Sequence, residues 1–250
     1  VVQEWSNRVF GNKMFITKKG YGYTDNIPEM RARHYYVLDT LNSFTKIKEK
    51  RIIDFASGQG GLLFLAKNYF GCKRLSGVDH SKKNINKTTT RFRKLKLKKI
   101  NLYQSTIEDL KLKRKQDLGI LTWTLCNCSE PLNVVRSISN NLKKNGYLIV
   151  AESSRILVPF KKSIYNYFVS SKKTGHTHPW HWSYNSLINI FKYYGFELVK
   201  ENRYYDVNDL VLIFKNSKKF SQKINFDNYK EVIKFLKRWV KESKNYKYGT

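Results

Sequence analysis

Between Asp54 and Gly61 the chain reads D-F-A-S-G-Q-G-G, directly after the apolar pair Ile52-Ile53. An acidic residue inside a short apolar run, followed by glycines, has the form of a ligand loop. Gly58, Gly60 and Gly61 allow a tight turn and a close backbone approach. The helical pattern that follows, G-L-L-F-L-A, would offer free N–H groups at its start. Asp79 ends a second apolar run about 20 residues on.

A second group of reactive side chains lies in G-H-T-H-P-W-H-W-S (175–183), with His176, His178 and His181 beside two Trp. Histidine suits proton removal near neutral pH. The His spacings could also make a metal site, but no carboxylate lies close by. A place in a substrate pocket and plain packing against the sheet both remain open for this loop. Cys126 and Cys128 are separated by one residue, and Cys72 makes the count odd. No disulfide framework or zinc site is expected, and buried structural thiols are.

The elements that must position these groups alternate. Short apolar runs (51–56, 75–79, 100–105, 117–124, 146–153) are separated by amphipathic stretches at 61–70, 82–95 and 132–142. Strands alternating with helices predict a parallel sheet with helices on both faces. A helix over 183–195, ended by Gly195, leads to two strands, 197–205 and 209–216. The short D-V-N-D stretch (206–209) where those strands meet leaves no room for a helix, so they should form an antiparallel hairpin at one edge. The fold class is α/β, a Rossmann-like seven-stranded sheet. Residues 1–50 are expected to form an N-terminal helical cap, 51–217 the main domain, and 218–250 a helical extension packed on the body or on a further C-terminal part. In that extension Tyr229, Val232, Ile233, Leu236, Trp239 and Val240 fall at helical spacing.

The formal net charge is +29 over 250 residues. Lys dominates it, and Asn, Ile, Tyr and Phe are abundant too, as an AT-rich genome would encode. The charge is read as that bias, and a nucleic-acid partner is not expected. The runs K-L-K-L-K-K (94–99) and K-L-K-R-K (111–115) are read as solvated faces. No apolar run is long enough to cross a bilayer, no signal-peptide pattern opens the chain, and the cysteine usage fits a cytoplasmic protein. The first residue is Val rather than Met, so a piece of a longer reading frame is expected.

The glycine loop lacks the Gly-Lys-Ser/Thr of a P-loop, and Leu63 stands where a dinucleotide loop has its third Gly. It resembles instead the first motif of class I S-adenosylmethionine-dependent methyltransferases, D-x-G-x-G-x-G, with Ala56 in place of the first Gly. L-S-G-V-D-H-S (75–81), S-T-I-E-D-L (105–110), D-L-G-I-L-T-W-T-L-C-N-C-S-E-P (117–131) and L-K-K-N-G-Y-L-I-V-A-E-S (142–153) are similar to that family's later segments, in order and spacing. The resemblance covers about residues 50–215. It implies S-adenosyl-L-methionine as cofactor, held by Asp54, Ala56, Gly58, Gly60, Asp79, His80, Thr106, Ile107, Thr122 and Trp123. Thr106 stands where the family usually has an Asp for the adenine amine.

The segment 175–187 resembles the H-E-H-x-x-Tyr-x-Ser stretch of sugar C-methyltransferases. His176 and His178 match its two His and Ser183 its Ser, while Thr177 replaces Glu and His181 replaces Tyr. This implies His178, with His181 and His176 beside it, as the candidate acid–base group. It also implies a small polar acceptor, a sugar or sugar nucleotide. Thr122-Trp123-Thr124 stands where enzymes of exocyclic base amines have Asn/Asp-Pro-Pro-aromatic, which speaks against that acceptor class. Two other readings stand beside the first. One is an RNA methyltransferase, supported by the charge. The other is a non-catalytic cofactor-binding interaction domain.

Overall fold

The computed structural model describes residues 32–153, 179–180, 182–203, 209–221 and 228–243. Helix α1 (Ala32–Phe44) precedes strand β1 (Arg51–Phe55) and helix α2 (Gly61–Asn68). Then come β2 (Arg74–Asp79), α3 (Lys82–Lys94), β3 (Ile100–Gln104) and β4 (Gln116–Thr122). Helix α4 (Pro131–Asn141), β5 (Leu142–Ser153), α5 (Tyr184–Tyr193), β6 (Phe196–Arg203), β7 (Asp209–Asn216) and α6 (Tyr229–Ser243) complete the order. No described helix is long and apolar enough to cross a membrane.

The seven strands lie in the order β3-β2-β1-β4-β5-β7-β6. β1 to β5 pair in parallel, and β7 runs antiparallel to both β5 and β6. The hairpin expected at the edge is present, with one refinement. Its second strand, β7, lodges between β5 and β6, and β6 takes the outside. β7 is also the more apolar: Leu210, Val211, Leu212, Ile213 and Phe214 are all buried. β6 carries the charged Glu197, Lys200 and Glu201, which suits an edge position.

Period-two alternation along the strands feeds two core layers. On one face Ile53, Phe55, Leu121, Leu148, Val150, Leu212 and Phe214 pack with Val134 and Ile138 of α4 and Leu187 and Phe191 of α5. On the other, Ile52, Leu118, Ile120, Ile149, Val211 and Ile213 pack with Val37, Leu38 and Leu41 of α1 and Leu62, Leu63 and Leu65 of α2. The described part of the N-terminal cap is thus built into a core layer. In α6 Trp239 is buried, whereas Tyr229, Val232, Ile233 and Val240 are exposed. The helix thus meets the body through Trp239, while much of its apolar face is open.

Local chemistry sets the element ends. Ser183 caps α5 in a reciprocal box with Ser186, and Gly195 follows that helix at φ 81°. Ser81 caps α3 by accepting from the Asn84 N–H. β4 stops at Thr122, two residues short of the run read as strand, because Trp123 takes a left-handed φ of 49°.

Candidate functional site

The carboxyl ends of β1, β2 and β4 converge where the strand order reverses, between β1 and β4. In open α/β sheets ligands bind at that reversal. The glycine loop follows β1 there. Asp79, the last residue of β2, ties the loop down. Its Oδ2 accepts the Gly58 N–H at 2.9 Å. Its Oδ1 accepts the Ser81 N–H at 2.9 Å and the Asn84 side-chain amide at 3.2 Å. A carboxylate has about four lone-pair sites, so roughly one remains for a ligand hydroxyl.

Helix α3 supplies the rest of the loop's support. Thr88 Oγ1 donates to the Gly58 carbonyl and Arg91 Nη1 to the Gln59 carbonyl, both at 3.3 Å. Asn84, Thr88 and Arg91 stand four and three residues apart, on one helical face. Thr88 and Arg91 are buried although their helix is mostly polar. Sequence reasoning took that helix as simply polar and missed this inward face. Its spacing was the available signal.

The glycines divide their work. A Cβ built on Gly58 would meet nothing within 4 Å, at φ 53°. A Cβ on Gly60 would stand 2.7 Å from both Phe92 Cζ and Thr88 Cγ2. Gly58 thus borders open space and Gly60 lets α3 close on the loop. Ala56 holds φ 63° where only Gly is at ease, a local strain of about 1 kcal/mol. Under the loop, Asp54 Oδ1 and Ser57 Oγ are buried without a hydrogen-bond partner. Burial, and then the Asp79 charge, push the Asp54 carboxyl well above its usual range. The loop thus combines open space at Gly58 with buried polar atoms of Asp54 and Ser57 that no other group of the described residues uses.

The other expected residues divide between exposed or half-buried places near the loop and internal duties. His80 is exposed directly after Asp79. Thr106 Oγ1 donates to Asp109 Oδ2 at 2.7 Å, so its hydroxyl serves a turn and Asp109 brings a carboxylate to the same loop. Ile107 is buried, and its carbonyl accepts from Ser137 Oγ at 2.5 Å. Asn141 donates to the Leu110 carbonyl at 2.8 Å and accepts the Leu112 N–H at 3.0 Å. Helix α4 thereby fixes the loop after β3.

Thr122 and Trp123 are half-buried at the end of β4. The Trp123 N–H donates to the Ala151 carbonyl at 2.7 Å. The Arg33 guanidinium lies 3.9 Å over the Trp123 ring centroid, and the His34 ring is 5.5 Å away. Helix α1 therefore closes on the site through a cation–π contact.

Glu152 is a second residue the sequence reading missed. It lies one residue before the end of β5, fully buried, and Oε1 accepts the Thr124 and Leu125 N–H groups at 3.0 and 2.7 Å. Its Oε2 has no hydrogen-bond partner. Burial pushes this carboxyl up to about 7, against the lowering effect of those N–H donors. The carboxylate holds the turn that carries Trp123. A single acid closing an apolar strand gives no periodic signal.

Cys72 and Cys126 are buried and Cys128 half-buried, as expected of structural thiols. Burial raises all three, Cys72 to about 11 and Cys128 to about 12, which leaves them protonated and weakly nucleophilic. No cluster of metal-ligating side chains occurs among the described residues. His176, His178 and His181 lie outside the described residues, between β5 and α5. Nearby, Trp180 Nε1 donates to the Cys128 carbonyl at 2.7 Å and its ring stacks on Trp182. The end of that loop is thus moored to the turn after β4.

Residues 46–208 match the model of a family described as a methyltransferase domain. That span is about two thirds of the chain. No curated protein matches the chain. Among solved structures, a protein of Pyrococcus horikoshii is similar at 19% identity and TM-score 0.61, over 85% of this chain and 98% of that one. An S-adenosylmethionine-dependent methyltransferase of Aquifex aeolicus is similar at 17% identity and TM-score 0.57, over 72% and 88%. One from Mesorhizobium loti is similar at 16% identity and TM-score 0.57, over 71% and 96%. At these identities the likeness is one of fold.

Proposed function

The chain belongs to the methyltransferase-domain family as an S-adenosylmethionine-dependent enzyme, and we propose that it methylates a small polar acceptor, a sugar or sugar nucleotide. When bound, S-adenosylmethionine supplies a methyl group on a sulfonium, which leaves by in-line displacement. The observation that carries the site assignment is the open space at Gly58 in a loop clasped by Asp79, with Asp54 Oδ1 buried and unbonded at the strand end that leads into it. Asp79 and the loop N–H groups would hold the ribose. Asp54 and Ser57 would face the amino-acid end from below. Thr122 and Trp123 would border the methyl side. His80, Thr106 and Ile107 would flank the adenosine.

His178 is proposed to remove or orient the acceptor proton, with His181 and His176 as neighbours. Support comes from the mooring of Trp180 on Cys128, which brings residues just after His178 to the carboxyl end of β4. Imidazole near neutral pH can take a proton and return it to water. Calorimetric titration with S-adenosylmethionine and its demethylated product tests the cofactor site. A screen of sugars and sugar nucleotides for methyl incorporation tests the acceptor. Turnover confined to RNA would replace the small-molecule reading. Cofactor binding without turnover on any acceptor class would favour a non-catalytic module.

A further inference from the structure

A groove of about 690 Å³ lies on the β3 side of the sheet, and none of its lining residues belongs to the glycine loop or to the turns around it. Ser76, Asn101 and Gln116 are its uncharged polar lining. Arg51, Lys73 and Arg74 reach it from the starts of β1 and β2. Lys99 enters ahead of β3, and Lys111, Lys113 and Arg114 come from the segment before β4.

Seven of the thirteen described lining residues are cations and none is acidic. Over the whole chain 48 of 250 residues are Lys or Arg and 19 are acidic. The groove is thus enriched in cations roughly threefold over a chain that is already basic. Codon bias raises Lys everywhere, but it does not gather cations in one concavity or clear it of acids. A quarter of the chain's twelve arginines line this groove. The cations of the run K-L-K-R-K are exposed, as a solvated face should be, and its residues 111–114 also form one wall of the groove.

Like charges this close repel one another unless a ligand brings several anions at short spacing. Glu49 pairs with Lys73 at 2.7 Å and its charge also reaches Arg74, but that pair is exposed at the rim and leaves most of the cations to a ligand. One inorganic anion would meet two or three of these groups. A nucleic-acid strand brings one phosphate per nucleotide. It also brings a flat base for Tyr103, which lines the groove and is 37% exposed. We propose that this groove docks a single-stranded nucleic acid through its phosphates, with Tyr103 stacking on a base. The proposal does not depend on which acceptor the enzyme methylates.

The test uses the full chain and a fluorescent oligouridylate of about 12 nucleotides, read by anisotropy across a salt series. Combined Lys111→Ala, Lys113→Ala and Arg114→Ala should weaken binding about tenfold or more and flatten the salt slope by about 2–3. A control removes the same charge from the exposed face of α6, as Lys230→Ala, Lys234→Ala and Lys237→Ala. It should change affinity less than about twofold. Lys113→Glu, at an exposed position, serves if the triple variant fails to fold by circular dichroism. Tyr103→Ala should weaken the oligouridylate while leaving inorganic polyphosphate unaffected. Equal losses in both triple variants would reduce the binding to net charge and overturn the proposal. Polyphosphate or a poly-glutamate peptide binding as tightly as the oligouridylate would overturn the nucleic-acid assignment.

Discussion

The Gly58 N–H donates to Asp79 Oδ2 at 2.9 Å, across 21 residues of sequence. One carboxylate therefore serves two ends. It holds the loop backbone, and it has a lone pair to spare, which the proposed function gives to the ribose. Asp79→Ala should weaken S-adenosylmethionine and its demethylated product by about 1.5–3 kcal/mol each, as loss of charge-assisted bonds implies. Because the clasp goes too, the ligand-free Tm should fall as well. Calorimetry and thermal melts check both, and unchanged affinity would remove Asp79 from the site.

Gly58→Val and Gly60→Ala should fail in different ways. Gly58→Val places its side chain in open space, so the protein should fold and lose cofactor binding. Gly60→Ala drives a Cβ against Phe92 and Thr88, and should cost about 2–4 kcal/mol of stability from overpacking and left-handed strain. Denaturant titration of both variants separates the two effects. Tight cofactor binding by a folded Gly58→Val protein would move the ligand elsewhere.

Ala56→Gly should raise stability. Ala56 sits at φ 63°, and relief of that strain outweighs the extra freedom of an unfolded glycine by a few tenths to about 1 kcal/mol. A shift of the denaturant midpoint to higher concentration is the expected result.

Glu152 links stability to pH. Its carboxyl is raised from 4.5 to about 7 in the folded protein, so the folded state holds that proton more tightly than the unfolded chain. The associated stability is complete at low pH and is lost as pH rises between those two values. Glu152→Gln keeps an oxygen for the Thr124 and Leu125 N–H groups and removes the charge. Relative to the parent, the variant should gain about 2–3 kcal/mol on going from about pH 5 to about pH 8. Paired melts across that range report the difference, and a constant offset would contradict it.

His178→Ala should leave cofactor affinity nearly intact and lower turnover by about 10²–10⁴, the usual yield of acid–base catalysis. Undiminished turnover on the true acceptor would shift the role to His181 or His176.

The glycine loop and Asp79 could be found in the sequence because glycines and a strand-ending acid are local signals. The parallel order of strands could be found because apolar runs alternate with amphipathic ones. The supports of the loop were harder to see. Asn84, Thr88 and Arg91 are polar, and polar residues at helical spacing look the same whether they face water or a buried turn. Glu152 acts across 27 and 28 residues on two backbone N–H groups, and no pattern in the chain announces such a bond. The hairpin of β6 and β7 followed from its short connection. Which of the two strands lies inside is a matter of sheet pairing, decided by the greater apolar content of β7. The basic groove joins four separate segments, so its cations looked scattered when read along the line.

The inside position of β7 bears on the order of events during synthesis. β5 leaves the ribosome more than fifty residues before β7, and β7 alone pairs with it on that side. Until Asp209–Asn216 has emerged, β5 presents a bare apolar edge, and β6 has no neighbour to join. Closure of the sheet is therefore a late event, gated by the last strand to be translated. A pause or break in translation before that point would leave a template for pairing with other nascent chains. A ribosome-bound fragment ending near residue 205 should thus be rescued by a separate peptide spanning β7.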